Sequence, residues 1–245
     1  MIFKRIRSGR FTSLMRCDIL FQIRYGFYWL YAFFIVFYAA LLTVFPEKYQ
    51  QRIASLLIFT DPAAMGLFFM GAIVLFEKSQ RVIESIATSP VRISEYILSK
   101  AVSISIVSVI SALFIAFSLY LNRVQFFHTI QHFILFIASL CLSSFMFTFC
   151  ALGCASVCRT LNQFMIYTIP FELFLMVPSA LFMFGIRLPI LEFHPGILAL
   201  RIIMNENEFP LPAVFVLLAA WISASYMFAS ASVKKMMMDW GGMKL

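Results

Sequence analysis

Between Phe27 and Phe45 the chain is apolar around the whole circumference of a helix, with no face suited to water. Such a run approaches the ~20 residues that a helix needs to cross ~30 Å of hydrocarbon. Five more runs of this kind lie at about 58–76, 101–121, 133–157, 164–186 and 210–232. None alternates polar and apolar residues as a porin strand does, which leaves helices as the way to satisfy the backbone in lipid. Composition agrees: 62% of the 245 residues are hydrophobic and 12% are charged, whereas a soluble domain is about 25% charged. The expected fold class is an all-α integral membrane protein with six transmembrane helices.

Six spans place both termini on one side of the membrane. Fourteen of the 19 Lys and Arg residues fall in the terminal segments and the two even-numbered connections, among them Arg5, Arg10, Lys78, Arg92, Lys100, Arg159 and Lys234. Lys48, Arg52, Arg123, Arg187 and Arg201 fall on the opposite side. Because basic residues stay cytoplasmic, both termini are expected inside, in the cell membrane of a bacterium. Residues 1–26 then form a cytoplasmic or interfacial segment, 27–232 the membrane domain, and 233–245 a cytoplasmic tail. The net charge of +8 matches this topology and anionic lipid. It does not indicate nucleic acid, for which no soluble basic domain is present.

The first 26 residues lack the processing site of a cleaved signal peptide. Phe11, Leu14, Met15 and Ile19 share one side of a helix, interrupted by Asp18, so an N-terminal helix lying along the inner membrane surface is expected.

The largest polar interruption runs from Glu77 to Lys100. Val82, Ile83, Ile86 and Ala87 form an apolar edge opposite Arg81, Glu84 and Ser85, the pattern of a short amphipathic helix. Ser89-Pro90 reads as an N-cap followed by proline at the first helical position. A mere connection needs about four residues; a helical, mixed-charge segment of this length suggests a rigid element on which a partner docks. On the other side, Arg187 to Glu208 contains Pro189 and Pro195 among Leu and Ile, suggesting short helices dipping into the outer interface.

These residues resemble the signature of ABC-2-type transporter permeases: an acid ending the second span (Glu77), a second acid seven residues on (Glu84), Ser89-Pro90, and Glu95-Tyr96-Ile97-Leu98-Ser99-Lys100. The inner loop Arg159-Thr160-Leu161-Asn162-Gln163-Phe164 and the pair Asp61-Pro62 resemble the fluoroquinolone-export-like branch. Arg81 stands where such families usually carry Gly, and Gln163 where they carry an acid. The resemblance implies a permease working as a dimer, with a second copy or a homologous permease, and with two cytosolic ABC ATPase subunits that hold ATP and Mg. It also implies that the 77–100 loop couples to those ATPases through Glu77, Arg81, Glu84, Ser89, Pro90, Arg92 and Glu95. Gly66 and Gly71 have the glycine spacing of a P-loop, but Ala72-Ile73 replace Lys-Ser/Thr. The chain itself is therefore expected to have no ATPase, no catalytic residue and no cofactor.

Glu172 lies nine residues beyond Gln163, ~13 Å along a helix and near the bilayer midplane. An ionisable group there costs roughly 2.5–3.5 kcal/mol on insertion scales and faces protein or water. It is either a translocation-pathway group favouring a cationic cargo or a protonated acid bonded to a neighbour. Asp61 before Pro62 reads as the N-cap of the second span. Cys150, Cys154 and Cys158 share one helix face; soft-metal binding is conceivable, but small residues around them favour close packing. His128 and His132 have zinc-like spacing without the following Glu of a metalloprotease, and are expected at the interface. Ser103, Ser105, Ser108 and Ser111 lack a His in their span.

The resulting expectation is the permease subunit of an ATP-driven exporter for an amphipathic drug, peptide or lipid, of the kind that gives antibiotic resistance. The competing readings are a non-transporting sensor or assembly subunit that binds an ABC ATPase, and an intramembrane enzyme, which would need a second deep catalytic group.

Overall fold

A computed structural model describes residues 9–122, 124–127, 129–186, 188–206 and 210–240. The described residues contain six helices long and apolar enough to cross a membrane: Phe27–Val44, Tyr49–Ser79, Ile93–Leu121, Ile130–Val157, Leu161–Met183 and Leu211–Asp239. The chain is a multi-pass membrane protein. His128, Arg123, Arg187, Glu208 and the ends of the chain lie outside the described residues.

In order, the elements are α1 (Arg10–Arg24), α2 (Phe27–Val44), α3 (Glu47–Ala63), a π-helical turn (Ala64–Phe69), α4 (Met70–Ser79), α5 (Val82–Ala87), α6 (Ile93–Leu121), α7 (Ile130–Val157) and α8 (Leu161–Met183). A 3₁₀ turn (Pro189–Phe193), α9 (Pro195–Met204) and α10 (Leu211–Trp240) complete the chain. Helices α6 and α7 are the core of the bundle, with α3, α4 and α9 packed against α7. The outer helices α2, α8 and α10 have few buried residues, with α10 packed along α7.

The second span departs from the sequence expectation. It is continuous from Tyr49 to Ser79, so the run Ala54 to Phe59 belongs to it and Asp61 lies inside the helix. Asp61 is not a cap; it is 3% exposed. Proline inside a helix removes a hydrogen bond and crowds the preceding turn. A π-helical turn follows just after Pro62, and packing against neighbouring helices makes such local adjustments tolerable in a membrane. Here Gly66 lets the backbone approach α7 closely: a Cβ at Gly66 would sit 2.9 Å from the Thr148 amide nitrogen. Gly71 lies against the Phe164 ring. The two glycines of the P-loop-like spacing are contact points between helices.

The amphipathic helix of the hairpin is present as α5, but the next helix starts later than Ser89-Pro90 implied. The Ser89 hydroxyl donates to the Ile86 carbonyl at 2.7 Å and closes α5. Arg92 is the N-cap of α6, its amide donating to the Glu95 carboxylate at 2.8 Å. Pro90 biases its predecessor away from the helical region, which leaves the turn between the helices.

The outer connection does form short helices, but α9 does not lie at the surface. Every residue from Pro195 to Ile203 is buried, wedged among α3, α7, α8 and α10. The Ala199 carbonyl accepts from Ser139 at 3.1 Å, and the Ile203 carbonyl meets His132 Nε2 at 3.1 Å. His132, in the first turn of its span, is thus buried against α9. Gly196 permits the insertion: a Cβ there would lie 2.1 Å from Ser179 Oγ and 2.9 Å from the Leu175 carbonyl oxygen.

Candidate functional site

The polar residues of the hairpin converge on one buried cluster. Tyr96, Ser99, Lys100 and Ser103 share a face of α6, as residues three and four apart do. Lys100 Nζ donates to Glu77 Oε1 at 2.6 Å and to Asp18 Oδ1 at 2.9 Å. The second oxygen of each acid is also satisfied: Tyr96 OH donates to Glu77 Oε2 at 2.8 Å, and Ser99 Oγ to Asp18 Oδ2 at 2.9 Å. Gln22, one turn beyond Asp18, donates to Ser103 Oγ at 3.1 Å. The Lys100 side chain is 1% exposed. One ammonium thus ties together α1, α4 and α6, the elements on either side of the hairpin.

A buried charge network of this kind is not a cheap source of stability, because desolvation opposes the Coulomb gain. Its consequence is geometric: removing one partner leaves a buried charge without compensation. A second lysine fixes the neighbouring corner. Lys78 Nζ donates to the carbonyls of Ala155, Ser156 and Cys158 at 2.7–2.8 Å, capping the negative end of the α7 dipole. The end of α4 is therefore locked both to α6 and to the last turn of α7.

The turn that these locks hold presents its remaining polar groups outward. Arg81, Pro90 and Arg92 are exposed, whereas Glu84, Ser89 and Glu95 are half-buried. Arg81 adopts φ 58° and ψ 20°, the left-handed region where a side chain is strained and glycine is favoured. That conformation explains why glycine suits this position; the Arg81 side chain makes an exposed 3.8 Å ion pair with Glu84. Arg10 donates to the Pro90 carbonyl, so α1 braces the turn from one side, and α10 packs on α5. Among the hairpin residues named from the sequence, Arg81, Glu84, Ser89, Pro90, Arg92 and Glu95 gather around one turn. Glu77 instead points into the cluster. Tyr96 and Lys100 stood in the family signature and Asp18 interrupted the α1 stripe, but none of the three was named among the coupling residues; the i, i+4 spacing of Tyr96 and Lys100 was the signal that those two share a face.

Glu172 is half-buried on α8, and the described residues offer it neither a hydrogen bond nor an ion pair. Ile169, Leu173 and Phe174 beside it are exposed, so it borders the open flank of the bundle. Pro170 and Pro178 lie within the same helix. Cys150, Cys154 and Cys158 are buried. Cys150 Sγ meets Ser225 Oγ at 3.8 Å, and Cys154 Sγ meets the Tyr167 carbonyl at 3.6 Å, as packing residues between α7, α10 and α8. At the far end, burial lowers the His194 pKa from its ordinary 6.5, consistent with a neutral ring whose Nδ1 accepts from the Gly196 amide at 3.2 Å.

Comparison with known proteins agrees with this architecture. The chain is similar, at 28% identity over 107 residues, to the fluoroquinolones export permease proteins of two Mycobacterium tuberculosis strains, CDC 1551 / Oshkosh and ATCC 25618 / H37Rv. The match takes in 44% of this chain and spans less than half, 45%, of the length of those relatives. Residues 11–193, from the helix that carries Asp18 to the turn before α9, match the model of the ABC-2 type transporter family. The chain belongs to the ABC-2 type transporter family.

Proposed function

We propose that this protein is the permease subunit of an ATP-driven exporter, moved by separate ATPase subunits that dock on the turn from Arg81 to Glu95. The observation that carries the proposal is the Asp18–Lys100–Glu77 cluster. A force applied to an exposed turn moves a span only if the turn is rigidly joined to it. Here the turn is joined to α4 and α6 by one ammonium held between two carboxylates, and to α1 through Arg10. ATP and Mg belong to the partner chain, and the basic side faces the cytoplasm by the charge rule.

The exposed flanks of α2 and α10 provide the surface for a second permease copy. The cargo on this reading is an amphipathic drug, in line with the printed names of the relatives, and Glu172 favours a cationic one. Substituting Glu84→Ala together with Arg92→Ala tests the docking turn, since neither residue belongs to the buried cluster. The expected result is loss of the co-purifying ATPase and of ATP-dependent efflux, with unchanged thermal stability. Full retention of both would remove the turn from the mechanism.

A further inference from the structure

A second polar feature lies at the same end of the bundle, beside the lock that Lys78 makes with α7. A cavity of about 550 Å³ opens between the ends of α4, α7 and α10. Its charged lining is Lys78, Arg159, Lys235 and Asp239, three cations and one anion. The hydrogens of Lys78 are consumed by the three α7 carbonyls, so it contributes charge alone. Arg159 and Lys235 are exposed and have no ion pair with any described residue. The cavity therefore carries a formal excess of two positive charges and two cationic side chains free to donate.

The position of the cavity narrows what could fill it. Lys78 is one residue from the end of the second span, Arg159 two beyond the fourth, and Asp239 is the last residue of the sixth. Three span ends at one level mark the headgroup layer. From the rim, exposed Val157, Leu161 and Met165 lead along the outer face of α8 toward the hydrocarbon. A ligand with an anion at one end and apolar chains at the other matches both surfaces. Basic pockets between transmembrane helices suit such headgroups.

We propose that this cavity binds the phosphate of an anionic phospholipid, held by Arg159 and Lys235 in the field of Lys78, with its acyl chains along α8. The inference is independent of the exporter reading, since it requires neither an ATPase nor a cargo. It is tested on the full chain by titrating phosphatidylglycerol against phosphatidylcholine in detergent micelles and following the thermal midpoint. The cavity variant is Arg159→Gln with Lys235→Gln; the control is Arg16→Gln with Lys234→Gln, both exposed and outside the cavity. With each nearby cation worth about fivefold, phosphatidylglycerol should bind the cavity variant about twenty-five-fold more weakly and the control nearly as the wild type. Equal midpoints in phosphatidylcholine alone show that the variants are folded.

Four results overturn the proposal. An unchanged response of the cavity variant, or an equal loss in both variants, would mean that attraction is spread over the surface. A midpoint shift reproduced by inorganic phosphate alone would assign the cavity to a soluble anion. Loss of a co-purifying ATPase with an intact lipid response would make Arg159 and Lys235 protein contacts.

Discussion

The two ends of this bundle are held by different physics. At the hairpin end, α1, α4 and α6 meet through charge: one buried ammonium, two carboxylates and a ring of hydroxyls. At the far end, α9 is held mainly by fit, seated against α8 through a glycine, with one looser charge contact where the buried Arg201 lies 3.9 Å from Glu192. Charge pairs specify partners sharply but are costly to leave incomplete. Close packing tolerates small rearrangements but not added volume. An end that transmits force benefits from the first kind of joint, and an end that closes a bundle can rely on the second.

That contrast can be broken most severely at Lys100. Lys100→Met leaves two carboxylates buried together and should destabilise the protein by about 3–5 kcal/mol, read as a lower thermal midpoint in detergent. Combining it with Asp18→Asn and Glu77→Gln should recover much of that loss, because the uncompensated charge disappears. If the triple variant is as unstable as the single one, packing and not charge holds the hairpin end.

Gly196→Ala tests the other joint. The added methyl meets the Leu175 carbonyl, a backbone atom that cannot swing aside, and should cost about 1–3 kcal/mol. Hydrogen exchange should show loosening of α9 and α8 while the hairpin stays protected. Arg81→Gly relieves a left-handed residue and should stabilise the protein by up to about 1 kcal/mol, provided the exposed Glu84 pair contributes little, as such pairs do.

The smallest effect separates the ends by pH. His194 has a folded pKa below its ordinary 6.5, so between those two values the unfolded chain binds more protons. Stability should therefore fall as the pH drops from 6.5 toward the folded pKa. His194→Asn, which can still cap α9, should flatten that part of the profile. An unchanged slope in the variant would assign the pH dependence to another group.

Much of the fold was legible because hydropathy is a local property. Each of the six apolar runs was identifiable from its own composition, and α5 from its own periodicity. Asp61 was misread for the same reason: Asp-Pro is a strong local start signal, and only packing against α7 reveals that the helix passes through it. Asp18 presented the opposite difficulty. It looked like a flaw in an apolar stripe, yet the stripe of Phe11, Leu14, Met15 and Ile19 is half-buried, whereas Asp18 and Gln22 are the buried residues of that face. The left-handed Arg81 was visible only as a departure from a glycine pattern.

The chain alone determined that it must enter a membrane, how many times it crosses, and which connections carry the basic residues. These follow from the cost of exposing apolar surface to water and unpaired backbone to lipid, both settled within single segments. The tertiary structure decided which acids are joined to which base, and that α9 is inside the bundle. Asp18 and Lys100 stand 82 residues apart, and no local pattern fixes a pairing that exists only after α1 and α6 have packed.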